Sequence, residues 1–203
     1  MIRGLLASTA AAAFLLLGAA PAGAQVMGEP PNVYPDPDKF ARGLFVEAEA
    51  GANVFLGEAR RSLGPGAALG VRLGYDLLRW AAVALHGSAS SHATDFAQQP
   101  QSGQLLQLAQ GRAELRLTVP MRRWSIFGVA AGGMGRFSTN LLGTTGLFPP
   151  DARLTPLYGG LLGVDYHTAS RHFSFGLSAG FTKLTRISTT GVIGSALYLR
   201  YTL

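Results

Sequence analysis

The last stretch of the chain, residues 191–203, constrains the fold more than any other. It reads GVIGSALYLRYTL, and its apolar side chains fall on alternate positions at Ile193, Leu197, Leu199, Tyr201 and Leu203. A period of two is typical of a β-strand with one apolar face. The chain ends inside this strand, so its free backbone groups need a partner, and the first strand of the same sheet is the obvious one. A sheet closed in this way with its apolar face outward is a transmembrane β-barrel.

Seven earlier stretches show the same alternation, which gives an even total of eight strands. The eight are residues 43–56, 65–77, 80–91, 105–119, 124–137, 157–167, 172–183 and 191–203. A tilted strand needs about 9–11 residues to cross a bilayer, and each stretch meets that length. The sequence therefore predicts an all-β fold, an eight-stranded antiparallel transmembrane β-barrel over residues 43–203.

The predicted connections alternate between short and long. Short turns fall at 78–79, 120–123 and 168–171, and longer loops at 57–64, 92–104, 138–156 and 184–190. Short periplasmic turns and long outer loops are the pattern of outer-membrane barrels, so both ends of the barrel are expected in the periplasm. Aromatic residues near the short turns predict an interfacial girdle. This predicted girdle consists of Tyr75, Trp80, Trp124, Tyr166, Phe173 and Tyr201.

The first 42 residues carry no strand pattern. Residues 1–24 have a basic start, an apolar run and a small-residue site, which favours a cleaved secretory signal peptide over an N-terminal membrane anchor. Residues 25–42 are rich in proline and are expected to be an extended periplasmic segment. This segment is interpreted as a spacer, with a docking peptide for a periplasmic protein as the alternative.

Composition supports export to an outer membrane. The chain has 27 glycines, no cysteine and only 14% charged residues, and no apolar run after the signal is long enough for a spanning helix. The net charge of +6 includes Arg3, so the exported chain carries +5, without a basic run that would indicate nucleic-acid binding. This charge is compatible with outer-membrane lipid and lipopolysaccharide as partners. A soluble barrel with its apolar face inside is the structural alternative, but the glycine-rich second face favours a crowded interior.

Charged side chains collect on the face opposite the apolar one, which predicts a charge network in the lumen. In residues 124–137 the apolar face is assigned to Phe127, Val129 and Phe137, which turns Arg136 inward. Eight strands leave little interior room, so the network is interpreted as a salt-bridged plug, with a narrow ion path as the alternative. The predicted network consists of Glu47, Glu49, Arg72, Asp76, Arg112, Glu114, Arg116, Arg136, Asp165 and Arg200.

Signals for catalysis are weak. His86 and Ser88 lie two apart on one strand face, and a nearby acid would complete a hydrolase-like group. No nucleophile elbow or zinc-binding pattern accompanies them, and the glycines at residues 64–70 miss the dinucleotide spacing, so no catalytic residue, metal or cofactor is predicted. A non-enzymatic structural or interaction barrel is therefore expected, with a lipid-modifying enzyme or a small pore as alternatives.

Two resemblances accompany these patterns. The layout of residues 43–203 resembles the small eight-stranded outer-membrane barrels of the OmpA and OmpX kind. Residues 34–57, YPDPDKFARGLFVEAEAGANVFLG, resemble the opening of myxobacterial outer-membrane β-barrel proteins, including the adventurous gliding motility family. This second resemblance implies a small barrel, a periplasm-facing entry segment with protein partners, and work within an envelope-spanning motility complex.

Overall fold

The computed structural model describes residues 43–94, 105–138, 153–168, 172–187 and 190–203. The predicted signal peptide and proline-rich segment lie outside these residues. The described chain forms a closed barrel in which each strand pairs antiparallel with its neighbours in sequence, which confirms the predicted fold class. Its strands are β1 (Leu44–Leu56), β2 (Leu63–Leu78), β3 (Ala81–Thr94), β4 (Leu105–Met121), β5 (Trp124–Phe137), β6 (Leu154–His167), β7 (Phe173–Leu184) and β8 (Gly191–Thr202).

The barrel closes where the final strand meets the first. β8 pairs with β1 from Phe45 opposite Thr202 to Leu56 opposite Gly191, so the backbone groups of both strands find partners. We call the end with the short connections at 79–80, 122–123 and 168–172 the turn end, and the opposite end the loop end. Within the described ranges, no helix is long and apolar enough to cross a membrane.

The outer wall of the barrel is apolar. Leu85, Leu162 and Leu197 point outward and expose 69%, 71% and 67% of their surface. A patch of this extent is stable only against lipid, since a soluble barrel would bury these side chains. The structure therefore excludes the soluble alternative and agrees with a membrane-spanning barrel.

One strand has the opposite orientation from the prediction. On β5, Phe127, Val129 and Phe137 point into the barrel, where they are 3%, 7% and 1% exposed, while Arg136 lies on the outer face. The prediction that Arg136 belongs to the lumen network is therefore wrong. Both faces of β5 carry apolar residues, so alternation alone could not fix its phase.

The interior accepts Phe127 because its neighbours provide the space and a partner. The guanidinium carbon of Arg116 lies 3.6 Å from the centre of the Phe127 ring, a cation–π contact. The ring also occupies the place that a Cβ atom on Gly163 would need. An aromatic residue can thus face the lumen of a small barrel if a glycine lies opposite and a cation stacks on the ring.

Several boundaries differ from the prediction. β2 begins at Leu63 and β6 at Leu154, so both strands extend into stretches predicted as loops, and β3 continues to Thr94. The predicted loop at 57–64 contains a short 3-10 helix, Gly57–Arg61, that turns Ala59 into the interior. The central parts of the loops at 92–104 and 138–156 lie outside the described residues.

Candidate functional site

The lumen is the candidate site, and its turn-end half holds a network of buried ions. Nine of the ten predicted members lie in the interior. They are carried by strands β1, β2, β4, β6 and β8. The alternation of each strand aims these side chains at a common centre. Arg136 is the member that the fold leaves outside, and His86 is a tenth interior group that the predicted network did not include.

Glu47 is the hub of the network. Its carboxylate is 1% exposed and accepts hydrogen bonds from Arg72, from Arg116 at 3.2 Å and from Arg200 at 3.5 Å. These cations come from β2, β4 and β8, so one acidic side chain on β1 links strands around most of the barrel. A buried carboxylate is tolerated because several guanidinium groups replace its lost hydration.

A second group surrounds His86 on β3. Its Nε2 atom lies 2.7 Å from Glu49 Oε1 and its Nδ1 atom lies 3.0 Å from Glu114 Oε1. Glu114 also accepts hydrogen bonds from Arg72 Nε at 2.6 Å and lies 2.8 Å from Arg112 Nε. Because its ring nitrogens face carboxylates, the geometry gives His86 a role in the ion network. Among the described residues, His86 forms no hydrogen bond with Ser88.

Two further groups of interior residues have the same composition. The first cluster consists of Arg116, Thr118, Phe127, Gly163 and Asp165. In it, Arg116 binds Asp165, lies over the Phe127 ring and has its Nε atom 3.4 Å from Thr118 Oγ1. Tyr198 and Ser125 donate further hydrogen bonds to Asp165, the latter at 2.8 Å.

The second cluster consists of Arg200, Thr202, Phe45, Gly74 and Asp76. Arg200 binds Asp76, lies 3.7 Å from the centre of the Phe45 ring and has its Nε atom 3.4 Å from Thr202 Oγ1. The Phe45 ring fills the space that a Cβ atom on Gly74 would need, as Phe127 does at Gly163. Arg200 also lies 3.5 Å from Glu47, so it has two acidic partners, Glu47 and Asp76.

A repeated sequence signal marks both clusters. Leu-Arg-X-Thr occurs at 115–118 on β4 and at 199–202 on β8, and Leu-Gly-X-Asp occurs at 73–76 on β2 and at 162–165 on β6. In each cluster the arginine of one motif binds the aspartate of the other. The signal would have placed Phe127 inside, because it lies beside Thr118 as Phe45 lies beside Thr202.

The loop-end half of the lumen is apolar. Its residues form one buried cluster, which we call the apolar cap. Phe55 lies at its centre, 6.4 Å from Phe137 and 4.6 Å from the His92 ring between ring centroids. His92 is fully buried, and its other contacts are Ser90 Oγ at 3.0 Å and the Gly64 carbonyl at 3.1 Å. The members of the apolar cap are Phe55, Ala59, Leu63, Leu106, Leu108, Phe137, Leu157, Leu184, Ile187 and Val192.

A small cavity with a mixed polar and apolar lining lies between the network and the apolar cap. Its volume is about 60 Å³, and its lining includes Glu49, Ser88, Gln110, Arg112 and Thr182. This volume is sufficient for ordered water. In the described ranges, no group of three or more histidine and acidic side chains is arranged to hold a metal ion. The interior therefore provides binding room for water but little for an organic substrate.

The six aromatic residues predicted as a girdle lie together at the turn end. Trp80 and Trp124 expose 54% and 53% of their surface, and Trp124 packs edge-on against Tyr166 at 4.9 Å. Phe173 and Tyr201 are in contact across β7 and β8, also at 4.9 Å. Phe175, which the prediction left out, stacks on Tyr166 at 5.6 Å and extends the same outer-surface band.

Solved structures with the same architecture identify the fold. The crystal structure of Neisserial surface protein A is similar with a TM-score of 0.60 at 14% sequence identity, over 79% of this chain and 97% of that chain. The fold is that of a small outer-membrane β-barrel. With its apolar outer wall, the protein is a barrel of the outer membrane.

Two other outer-membrane proteins are similar at lower scores. Ail, the attachment invasion locus protein of Yersinia pestis, solved with the heparin analogue sucrose octasulfate, has a TM-score of 0.49 at 13% identity, over 80% of this chain and 99% of that chain. The outer membrane enzyme PagL has a TM-score of 0.44 at 14% identity, over 78% and 99%. No protein-family model and no curated protein matches the chain. The resemblance to the gliding motility family thus rests on residues 34–57 alone.

Proposed function

We propose that this protein is a sealed, non-enzymatic barrel that serves the cell envelope as a structural or interaction component. The observation that carries the proposal is the filling of the lumen at two levels. The apolar cap occupies the loop end, and ion pairs centred on Glu47 and Glu114 occupy the turn end. An ion crossing the barrel would have to displace both, so binding by the outer loops and the N-terminal segment is the remaining route to function.

Single-channel recording in planar bilayers tests the sealed lumen. The refolded protein is expected to give no stable conductance steps, whereas a wide porin in the same bilayer serves as the positive control. Stable steps from the refolded barrel would support the small-pore alternative and contradict this proposal.

A comparison of cells with and without the protein tests the enzyme alternative. Because the His86 ring faces Glu49 and Glu114, we expect the lipid A acylation pattern to be the same in both. A changed pattern that disappears in the His86→Ala variant would overturn the non-enzymatic part of the proposal. Heat-modifiable gel mobility verifies that this variant is folded.

The resemblance of residues 34–57 extends the proposal to an envelope-spanning motility complex with periplasmic or outer-membrane protein partners. Deletion of residues 25–42 tests this extension, since the barrel strands remain intact. We expect the shortened protein to reach the outer membrane but to fail to support gliding. Normal gliding with the shortened protein would contradict the motility role and would leave the sealed barrel unaffected.

A further inference from the structure

The lipid-facing wall carries an apolar groove across β4 to β8. It is a shallow depression, open to the lipid side, with a volume of about 660 Å³. The floor is formed by the small residues Gly128, Ala130 and Gly160, and the walls are formed by larger ones such as Leu162 and Phe181. The groove has the apolar lining that an acyl chain requires.

Two arginines lie beyond the groove, near the loop end of the same outer face, and they indicate the head group. Arg136 lies on the same outer face of β5 as Gly128 and Ala130, and Arg153 is exposed just before the neighbouring strand, β6. Among the described residues, no ion pair is formed by Arg136. The acidic side chains of the described ranges point inward with the exception of Glu58, so the outer surface around the groove is basic.

The distance between the groove and Arg136 matches the hydrocarbon thickness of one leaflet. Arg136 is six residues beyond Ala130 on β5, which is about 20 Å along the strand at about 3.3 Å per residue. With a strand tilt of about 40°, this becomes about 15 Å along the membrane normal, half of the hydrocarbon thickness of about 30 Å. The acyl chain of a lipid whose head group is bound at Arg136 would therefore run down the outer face past Met134 and reach the groove near the middle of the bilayer.

We propose that this groove binds one phosphorylated lipid of the outer leaflet, of the lipid A class, with its phosphate on Arg136 and Arg153 and an acyl chain over Gly128 and Ala130. Arginine binds phosphate through paired N–H donors, and the groove supplies the apolar contact. A second copy of the barrel fits less well, because a symmetric pair of these faces would bring the same cations together.

Native mass spectrometry of the exported chain, refolded in detergent and titrated with lipid A, tests the site. Gly128→Leu fills the groove, and its Cβ atom would be 3.5 Å from Leu162 Cδ2, an ordinary contact. The matched control is Gly87→Leu, which also faces outward but has nothing within 4 Å and lies away from the groove on β3. Arg136→Gln removes the head-group cation, and Arg60→Gln, also exposed at the loop end, is its control. Heat-modifiable gel mobility verifies that each variant is folded.

We expect the first lipid A to bind about tenfold more weakly to Gly128→Leu and to Arg136→Gln than to either control, a loss of about 1.4 kcal/mol. Lipid A without its phosphates should bind the unaltered protein as weakly as lipid A binds Arg136→Gln. Equal binding by groove variants and controls, or equal binding with and without phosphate, would show only a general lipid shell and overturn the proposal. A dimer that Gly128→Leu abolishes, without a lipid effect, would overturn it in favour of a second copy.

Discussion

At the scale of single residues, Glu47 is the carboxylate that three buried arginines share. Replacing it with glutamine would leave Arg72, Arg116 and Arg200 without their shared carboxylate. Removal of one partner from a buried ion pair costs about 3–5 kcal/mol, and we expect Glu47→Gln to lower the free energy of unfolding by that amount. Urea unfolding in lipid vesicles measures the change. Glu58→Gln is the control, since Glu58 is exposed and its replacement should have almost no effect.

The absence of a side chain at Gly70 leaves room for the paired side chains of Glu49 and His86. A Cβ atom at this position would lie 2.5 Å from Glu49 Oε1 and 2.7 Å from His86 Nε2. Gly70→Ala should therefore displace the Glu49–His86 pair and destabilise the barrel by about 1–3 kcal/mol, as overpacking does. Gly87→Ala, with open space around it, provides the comparison in the same urea experiment. Equal stability of the two variants would contradict the packing described around His86.

At the scale of the strand, the sequence was sufficient where one face was clearly polar. The phases of β1, β4 and β8 followed from alternation, because residues such as Glu47, Glu114 and Arg200 cannot face hydrocarbon without a large cost. On β5 the interior face carries Phe127 and Val129, so hydrophobicity favoured neither orientation. Its phase depends on the stacking of Arg116 from the adjacent strand, which is a tertiary contact that single-strand periodicity does not contain.

The final strand, β8, allows a test of which side chains face lipid and which face the lumen. Leu199 points outward and is 48% exposed, and Leu203 is on the same face at the end of the chain, 64% exposed. An arginine on the lipid face costs about 2–4 kcal/mol at the bilayer centre and close to zero at the interface. We expect Leu199→Arg to fall in the lower half of that range and Leu203→Arg to cost almost nothing. Urea unfolding of both variants in vesicles decides between this register and one shifted by a residue, in which Leu199→Arg would be silent.

At the scale of the whole molecule, the two clusters give the β8–β1 pair and the β4–β5 pair equivalent interior contacts. The first cluster spans β4, β5 and β6, and the second spans β8, β1 and β2, so the closing seam between β8 and β1 corresponds to the covalent turn between β4 and β5. A circular permutant that joins Leu203 to Gly43 and opens the chain at 122–123 should therefore fold, because the seam already forms its cluster without a covalent link. The ends to be joined are close, since a Cβ atom on Gly43 would lie 2.9 Å from the Leu203 carbonyl oxygen.

Heat-modifiable mobility and urea unfolding of this permutant measure the outcome, and a permutant opened at 79–80, between the clusters, is its control. Both should retain most of the free energy of unfolding. A permutant opened at 122–123 that fails to fold, beside a folded control, would contradict the equivalence of the two strand pairs.

The paired clusters also bear on how such a chain arises. Four strands with one Leu-Gly-X-Asp and one Leu-Arg-X-Thr motif form half of the barrel, and the other half repeats them in the same order. Fusion of two copies of a four-stranded ancestor, once related by a two-fold axis, would leave this pattern. The position of Glu47 beside Arg200 is taken by Val129 beside Arg116, so the two halves differ at this point. The two equivalent arginines, Arg116 and Arg200, share the one carboxylate of Glu47, so this departure from symmetry links the two halves of the barrel across its interior.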